Sequence, residues 1–496
     1  MKTFEPMRKT KIICTVGPST KTVERMKELI EAGINLARFN MSHGNYEEHS
    51  ELIRTVRTAA SDLKKPIGLI LDTKGPEIRT LPIDTEYIEP NVENPNPIDR
   101  YIELKKGQKF TFVVEDSIKT SATIGKTTYS DLPNIMRPGQ RIRIDDGIIE
   151  LKVVEVVNQE VRCEVLDGGR LYTNKGINLP DTKVNFSTPT TKDVEDIHFA
   201  IEQGLDFIAA SFICCAQDVL DIRKILTDNG AGQIKILAKI ENREGKDNFE
   251  EILEVADGIM IARGDLGVEL EPEEVPTIQK DFIKRCNEVG KPVVTATHML
   301  ESMTTSPRPT RAEANDVANA IFDGTDAIML SGETARGMHP RRVVQMMSDI
   351  AIYAEKTMTY HRALGESDKI NVPDAISYAA SAISSNIGAG NILTATRSGY
   401  TAIHVAKYRP KSLIIAIASN ETVYRQLSLT WGVLPLLLNE IQNITEHKDF
   451  FEMAENEVKK LGLVKKGDTI VMVAGFPFGQ EGSTNNIYVQ VVGREM

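Results

Sequence analysis

Short runs of apolar, often β-branched residues alternate with amphipathic segments along most of the chain. The segments between them, such as TVERMKELIEAG (22–33) and IQKDFIKRCNEVG (278–290), space their apolar residues as a helix does and end in glycine, a common helix stop. Alternating strands and helices are typical of parallel βαβ units, and eight units favour a closed (β/α)8 barrel, the TIM barrel, over an open sheet. The eight predicted strands are TKIICTV (10–16), INLARFN (34–40), IGLILDT (67–73), DFIAASF (206–212), IKILAKI (234–240), GIMIARG (258–264), PVVTATH (292–298) and DAIMLSG (326–332).

One long interval interrupts this rhythm. After the third strand the next helical pattern begins only at about Thr191, and the interval opens with the proline- and asparagine-rich stretch EPNVENPNPID. Runs such as KFTFVVED and EVRCEVL follow, and alternation of apolar and polar residues at period two is typical of half-buried strands. We therefore predict a β-barrel-like domain at 80–185, inserted into a barrel formed by 1–79 and 186–355.

A third unit follows the barrel. Its strands NILTATR, SLIIAIA and TIVMVAG alternate with helical segments, which predicts a separate α/β domain at 366–496.

Composition excludes several classes of function. The chain has 496 residues, a formal net charge of −11 and a pI of about 5.5, which argues against nucleic acid as a partner. No run of about 18 apolar residues occurs, so we predict no membrane-spanning helix. The start resembles no secretory signal, and five cysteines without a CxxC motif predict free thiols. These features together favour a cytoplasmic protein.

Polar residues follow nearly every predicted barrel strand. Strands two and three lead into ARFNMSHG and LDTKGPEIR, strands five and six into AKIEN and ARGDLG, and strands seven and eight into TATHML and LSGET. Active sites of (β/α)8 barrels form at the carboxyl ends of the strands. We therefore expect a site where these segments meet.

Two carboxylates and a lysine stand out among these residues. Lys239 and Glu241 are two positions apart on strand five, so they point to the same side, and Asp265 follows the adjacent strand six. The carboxylates suit Mg²⁺ or Mn²⁺, or else a salt-bridge network with Lys239. Lys239 itself suits a Schiff base, a stabiliser of a transferring phosphoryl group, or an ion pair with Glu241.

A second polar group follows strands two and three. Arg38, Asn40 and Ser42 alternate along strand two, and Asp72 and Thr73 end strand three. The neutral oxygens with one carboxylate could hold a monovalent cation, and Arg38 suits phosphate, but ordinary capping of strand ends is an equal alternative. The glycine-containing turn in ARGDLG offers backbone N–H groups to an anion.

The barrel region contains, in order, ARFNMSHG, LDTKGPEIRT, AKIEN, ARGDLG, TATHMLESM, PTRAE, DVANA and MLSGETA. Together these segments resemble the signature segments of the pyruvate kinase family, whose three-domain plan is similar as well. The resemblance implies transfer of a phosphoryl group from phosphoenolpyruvate to ADP, giving pyruvate and ATP. It also implies a divalent metal (Mg²⁺ or Mn²⁺), K⁺ and a homotetramer.

The resemblance assigns roles to individual residues. It implies metal ligation by Glu241 and Asp265, and charge stabilisation by Lys239. The substrate carboxylate would meet the N–H groups of Gly264 and Asp265 and the hydroxyl of Thr297. The remaining roles are phosphate binding by Arg38, K⁺ ligation by Asn40, Ser42, Asp72 and Thr73, nucleotide contacts by Asn40, His43, Arg79 and Lys175, and enolate protonation along a water path at Thr297, Ser331 and Glu333.

Two positions refine this picture. Members of the family with glutamate in KGPEIR tend to need K⁺, since a lysine there can replace the charge of the cation, so Glu77 predicts K⁺ dependence. The segment TATHML has His298 where the family usually has glutamine. That histidine is either a packing substitution or a titratable group that alters the pH profile near neutrality.

A further anion site is predicted in the third domain. TATRSGYTA places Thr396, Arg397, Ser398, Gly399 and Thr401 at a strand-to-helix turn. The family uses this loop for the phosphate of an allosteric effector, and GFPFGQEGSTN (475–485) resembles the neighbouring loop. The alternative is helix capping by Ser398 or Thr401.

Two rival functions are open at this point. An aldolase or lyase on the same barrel would use Lys239 as a Schiff base and would need neither ADP nor the inserted domain. A metabolite sensor without activity would be expected to have lost Lys239, Glu241, Asp265 or Thr297, and all four are present.

Overall fold

The computed structural model describes residues 7–83, 101–115, 117–180, 182–184, 188–360, 371–438, 447–476 and 482–494. The predicted domain boundaries at 185/186 and 366, and the stretch EPNVENPNPID, lie outside these ranges. Residues 477–481 of the predicted second effector loop also lie outside them.

All eight predicted barrel strands are present, slightly shorter than their apolar runs. They are β1 (Lys11–Thr15), β2 (Leu36–Asn40), β3 (Gly68–Asp72), β13 (Phe207–Ala210), β14 (Lys235–Ile240), β15 (Gly258–Ala262), β16 (Val293–Ala296) and β17 (Ala327–Leu330). They pair in parallel and close in the order β1-β17-β16-β15-β14-β13-β3-β2. The strands are almost wholly buried, because side chains fill the interior and helices cover the outside. The predicted barrel is therefore confirmed.

The barrel helices begin and end where the sequence supplies caps. Thr22 accepts a hydrogen bond from Arg25 N at the start of helix α1 (Val23–Ala32), and Gly33 after its end has a φ of 114°, which favours glycine. Thr310 and Glu313 form a capping box at the start of helix α10 (Arg311–Asp323). The helices are α1 (Val23–Ala32), α2 (Tyr46–Leu63), α4 (Thr191–Glu202), α5 (Ala216–Asp228), α6 (Arg243–Asp247), α7 (Phe249–Val255), α8 (Arg263–Glu269), α9 (Val275–Val289), α10 (Arg311–Asp323), α11 (Gly332–Ala335) and α12 (Pro340–Glu355), with 3-10 turns at Pro18–Thr20 and Glu301–Thr304.

The inserted segment is mostly sheet. Its strands are β4 (Ile78–Arg79), β5 (Tyr101–Leu104), β6 (Lys109–Val113), β7 (Ile124–Lys126), β8 (Arg141–Ile144), β9 (Ile149–Val157), β10 (Glu160–Asp167), β11 (Gly169–Tyr172) and β12 (Gly176–Asn178), with one short helix, α3 (Leu132–Ile135). Seven of them form a sheet in the order β4-β12-β8-β9-β10-β6-β7, and β5 pairs with β11. Ile78 and Arg79 pair with β12, so this sheet begins just before residue 80.

The C-terminal domain is a five-stranded sheet with helices. Its strands are β18 (Asn391–Thr396), β19 (Leu413–Ala418), β20 (Val433–Leu437), β21 (Thr469–Gly475) and β22 (Thr484–Val491), in the order β20-β19-β18-β21-β22 with only β22 antiparallel. Its helices are α13 (Val372–Asn386), α14 (Tyr400–Lys407), α15 (Glu421–Gln426) and α16 (His447–Lys460), with a 3-10 turn at Leu427–Leu429. The sequence pattern did not predict β20, which contains a proline, or β22, which begins with three polar residues.

The C-terminal domain closes the amino end of the barrel, opposite the polar strand ends. Leu429 is 1% exposed and packs in one cluster with residues that fill the barrel interior, such as Leu36 and Met329. Arg409 is equally buried and pairs with Asp326 at the start of strand β17. The two domains therefore share a core.

The predicted absence of a spanning helix and of disulfides is consistent with the structure. Among the helices that the structure describes, none is long and apolar enough to cross a membrane. All five cysteines are free thiols.

Candidate active site

Lys239 lies at the centre of a chain of alternating charges at the carboxyl ends of the barrel strands. Its Nζ donates to Asp72 Oδ1 (3.0 Å) and Ser211 Oγ (2.6 Å), and it lies 2.9 Å from Glu241 Oε1. Asp72 Oδ2 in turn accepts from Arg38 Nε at 2.6 Å. The side chains of Asp72 and Glu241 are each 1% exposed, so water hardly screens these interactions.

The pKa values in this chain follow from burial and opposite charge. Burial lowers the pKa of Lys239, but the carboxylates of Asp72 and Glu241 outweigh it and raise that pKa above its ordinary value. Burial raises the pKa of Asp72, but Arg38 and Lys239 outweigh it and hold that pKa below its ordinary value. Lys239 is therefore a cation and Asp72 an anion at neutral pH.

Glu241 and Asp265 form a pair of carboxyl groups beside Lys239. Burial raises the pKa of both groups, and the charge of Asp265 raises that of Glu241 further. The backbone N–H of Phe212 donates to Glu241 Oε2 at 2.6 Å and fixes its orientation. Two close carboxylates in a poorly solvated place, one of them oriented by a neighbouring N–H, suit a hard divalent cation that would compensate their charge.

The turn after strand β16 carries Thr297 and His298 with positive φ angles of 63° and 52°. Such angles are uncommon outside glycine and concentrate at functional sites. The hydroxyl of Thr297 donates to Ala296 O (2.7 Å) and accepts from the N–H of Gly264 (2.6 Å). One of the N–H groups expected to meet a substrate carboxylate therefore points at the Thr297 hydroxyl here.

The side chain of Arg263 stabilises the turn at Thr297 and His298. Its Nη2 donates to Thr297 O at 2.8 Å and to His298 O at 3.3 Å, and its Nη1 pairs with Asp316 at 2.6 Å. The guanidinium thereby satisfies the carbonyl groups of both positive-φ residues.

Ser331 and Glu333 lie together after strand β17. Glu333 is fully buried, and its carboxyl accepts from Ser331 N (2.7 Å) and Leu300 N (3.2 Å). Burial raises its pKa. The hydroxyl of Ser331 is buried without a protein partner, so it is available to a water molecule or a ligand.

The residues expected to bind K⁺ lie at the adjoining ends of strands β2 and β3, where Asn40 and Asp72 are paired in register. Strand β2 ends at Asn40, so Ser42 lies in the following turn rather than on the strand, and its N–H donates to Asn40 Oδ1 at 3.1 Å. Thr73 Oγ1 accepts from Ser211 N at 3.0 Å, beside Asp72. The predicted alternation along strand two is therefore wrong at Ser42, because the chain turns after Asn40.

The residues expected to face the nucleotide come from two domains: Asn40 and His43 from the end of barrel strand β2 and the turn after it, and Arg79 and Lys175 from the inserted sheet. Arg79 makes a two-nitrogen contact with Glu77 (2.8 and 2.9 Å), and Lys175 pairs with Asp145 at 2.9 Å. Strands β4 and β12 bring Arg79 beside Gly176, next to Lys175. The N–H of His43 donates to Asn40 O at 3.3 Å, and the carbonyl of His43 accepts from His49 Nε2 at 2.8 Å.

The predicted effector turn lies at the carboxyl end of strand β18. Gly399 has a φ of 91° and precedes helix α14, and the hydroxyl groups of Thr401 and Thr484 lie 2.8 Å apart. This contact joins the two sequence segments assigned to the effector. Thr396 and Thr401 are buried, Ser398 is half-buried and Arg397 is exposed.

Two contributors were missed by the sequence analysis. Ser211, at the end of strand four, bonds to Lys239 and Thr73, and the rule that polar residues at strand ends form the site would have found it. Arg263 lies in the noted segment ARGDLG, but its role depends on a distant turn and on Asp316, which no local pattern reveals.

Comparison with known proteins agrees with this geometry. Residues 7–344 match the family model described as pyruvate kinase, barrel domain, and residues 374–490 match pyruvate kinase, alpha/beta domain. The pyruvate kinase of Geobacillus stearothermophilus is 47% identical over 98% of this chain and 80% of its own length. That of Staphylococcus haemolyticus is 45% identical over 99% and 81%, respectively. The crystal structure of a pyruvate kinase from Cryptosporidium parvum superposes with a TM-score of 0.89 at 38% identity, covering 98% of this chain and 96% of that one.

The matches span both the barrel and the C-terminal domain, and the charged strand ends that distinguish the site lie within the matched region. This chain therefore belongs to the pyruvate kinase family.

Proposed function

We propose that this chain transfers the phosphoryl group of phosphoenolpyruvate to ADP, giving pyruvate and ATP, with Lys239 as the central cation. Membership of the family makes the chain a phosphotransferase. The observation that carries the residue assignment is the position of Lys239, buried between Asp72 and Glu241.

The state of Lys239 favours phosphoryl transfer over the lyase. A lysine that forms a Schiff base needs a lowered pKa, whereas the two carboxylates raise the pKa of Lys239. A permanent ammonium suits a reaction in which negative charge moves between oxygens, because catalysis is then mostly positioning and electrostatics. We assign Lys239 to the transferring phosphoryl group and to the enolate oxygen that it leaves.

Glu241 and Asp265 would hold Mg²⁺ or Mn²⁺. When bound, the ion polarises phosphoryl oxygens and offsets the charge of the two carboxylates. The raised pKa values of both carboxyl groups support this assignment, since they mark a place where negative charge is poorly compensated.

The Thr297 turn and the N–H groups of Gly264 and Asp265 would receive the substrate carboxylate. The Thr297 hydroxyl can donate to that carboxylate if its proton turns away from Ala296 O, and the N–H of Gly264 would reach the carboxylate once it leaves the Thr297 oxygen. Arg38 would bind the phosphate with the nitrogens that do not contact Asp72.

Protonation of the enolate would use the polar groups after strand β17. The unpartnered Ser331 hydroxyl can hold a water molecule, with the Glu333 carboxyl behind it. Thr297 would complete this path.

K⁺ would be bound by Asn40, Ser42, Asp72 and Thr73, and the nucleotide by Asn40, His43, Arg79 and Lys175. The inserted sheet supplies Lys175 and would exclude water when it closes over the site. A cytoplasmic location and a homotetramer stay predictions from the family resemblance.

An effector phosphate would bind at residues 396–401. The positive φ of Gly399 before helix α14 and the contact of Thr401 with Thr484 support a turn suited to an anion. Titration with sugar phosphates and nucleoside monophosphates should lower the KM for phosphoenolpyruvate in the wild type. The same titration should have no effect on an Arg397→Ala, Ser398→Ala double variant.

The function itself is tested by release of pyruvate from phosphoenolpyruvate with ADP, Mg²⁺ and K⁺. We expect release that depends on all of these components and equals the ATP formed. Borohydride treatment in the presence of pyruvate is the second arm. A mass adduct on Lys239, without ATP formation, would replace the kinase with the lyase.

A further inference from the structure

Arg143 connects the inserted sheet to the barrel. It lies on strand β8, and its side chain is 8% exposed. Its Nε donates to Glu150 Oε2 on the neighbouring strand at 2.9 Å. Its other two nitrogens reach across to the barrel: Nη1 donates to Val268 O (2.8 Å) and Leu270 O (3.2 Å), and Nη2 to Glu271 Oε1 (3.1 Å).

The target of these bonds is the end of helix α8. The last carbonyl groups of a helix have no hydrogen-bond partner within the helix, and they lie at the negative end of the helix dipole. A guanidinium stabilises them because it donates hydrogen bonds and carries a positive charge. Arg141 also pairs with Glu271, and Asn178 Nδ2 donates to Glu269 Oε1 at 2.8 Å. Two strands of the inserted sheet therefore hold this end of the helix.

The other end of the same helix lies in the site. Helix α8 has only seven residues, so it is about 10 Å long. Its first turn carries Gly264, bonded to Thr297, and Asp265, which interacts with Glu241. A shift at residues 268–271 would therefore be transmitted directly to both groups.

Strand β8, which carries Arg143, also ends in a turn near the site. Strand β8 runs into the turn at Asp145 and Asp146, where Asp145 pairs with Lys175. Burial is the main cause that raises the pKa of Asp265, and the charge of Asp146 raises it further, which shows that this turn lies near Asp265. Arg143 thus fixes the distance between this turn and the helix that carries Asp265.

We propose that Arg143 is a positioning residue for the metal and substrate-carboxylate sites. It links helix α8 to the inserted domain, so the location of that domain determines where Asp265 and Gly264 lie. The proposal rests on the proposed function, because it assigns Asp265 to the metal. A lysine at position 143 cannot fully replace the arginine. The planar guanidinium contacts Glu150, Val268 O and Glu271 at the same time, and a single ammonium group cannot reach all three.

The test compares Arg143→Met and Arg143→Lys with Arg162→Met. Arg162 is the matched control: it lies on strand β10 of the same sheet and makes three bonds to Glu155 and Glu160, but it is 45% exposed and its bonds stay within the sheet. Mn²⁺ binding to each protein is measured by electron paramagnetic resonance without substrate, and kcat and KM for phosphoenolpyruvate are measured separately.

We expect Arg143→Met to weaken Mn²⁺ binding and raise the KM by about 10- to 100-fold, the usual effect of losing a group that orients a metal ligand. Arg143→Lys should fall between Arg143→Met and the wild type, and Arg162→Met should stay within twofold of the wild type.

Two results would overturn the proposal. One is unchanged Mn²⁺ affinity and KM in a folded Arg143→Met or, if that variant does not fold, in Arg143→Lys. The other is an equal loss in Arg162→Met, which would show a general effect of the inserted sheet. Wild-type protein that releases no pyruvate would instead refute the proposed function, and the Mn²⁺ measurement would still report on helix α8.

Discussion

The ammonium of Lys239 lies 3.0 Å from Asp72 Oδ1, although their strands, β14 and β3, are separated in the barrel by strand β13. The hydroxyl of Ser211, just after β13, lies between them and bonds to Lys239 at 2.6 Å. These contacts connect the ends of strands β14, β13 and β3 and keep the ammonium of Lys239 buried.

Replacement of Lys239 by methionine should sharply reduce turnover in protein that still folds. Loss of one preorganised donor to a developing charge typically costs 10²- to 10³-fold in kcat, and we expect about 10³-fold or more here, because the donor carries a full charge. The measurement is kcat for pyruvate release. Lys235→Met is the control, since Lys235 lies on the same strand but pairs with Asp257 at its other end. Equal kcat values for the two variants would contradict the assignment.

Activity should be several-fold higher in K⁺ than in Na⁺ at equal ionic strength, and Glu77→Lys should remove the difference. The new ammonium would supply the charge of the cation, and the variant would also release Arg79 from its contact with Glu77. The measurement is the ratio of pyruvate release in the two salts. Glu28→Lys, which disrupts an exposed pair with Arg25, is the matched control. K⁺ stimulation that survives in Glu77→Lys would exclude this explanation.

Stability should depend on pH through Asp206, at the contact of the barrel with the C-terminal domain. Complete burial raises the pKa of Asp206 to about 6, despite its 3.0 Å pair with Arg425. The folded state then binds more protons than the unfolded state between about pH 4 and 6, so the contribution of this group to stability increases as pH falls through 6. The shift corresponds to about 3 kcal/mol at most.

Urea unfolding of wild type and Asp206→Asn at several pH values isolates this effect, since other groups titrate in both proteins. We expect the wild type to gain stability relative to the variant between pH 7 and pH 4. A constant difference over this range would show that Asp206 keeps an ordinary pKa.

Arg409→Met should destabilise the protein by about 3–5 kcal/mol, because it leaves buried partners without a donor. Arg409 pairs with Asp326 at 3.1 Å, donates to Gly324 O at 2.8 Å and to Asn287 Oδ1, and only 2% of its side chain is exposed. Arg285→Met is the contrast. Arg285 also pairs with two glutamates, but 40% of its side chain is exposed, so we expect a loss below about 1 kcal/mol. Urea unfolding of both variants gives the comparison, and equal losses would mean that burial does not decide the value of these pairs.

Local patterns predicted the elements well because each barrel strand is buried on both faces. Such a strand must be apolar along its length, and its polar continuation marks where it leaves the core, as in ILAKIEN. The same logic failed for strands β20 and β22, where the sheet tolerates proline or polar residues that a sequence pattern assigns to loops.

The sequence by itself determined the barrel, the insertion, the C-terminal domain and the polar strand ends, because these depend on local periodicity and on a topology with few alternatives. Only the tertiary structure decided which polar residues pair with one another, such as Lys239 with Asp72. It also decided that Ser42 lies in a turn beyond its strand. It also decided that Arg143 reaches helix α8 and that Arg409 is buried beneath the barrel. These contacts join residues far apart in the chain, and their energies depend on distance and burial, neither of which a local pattern contains.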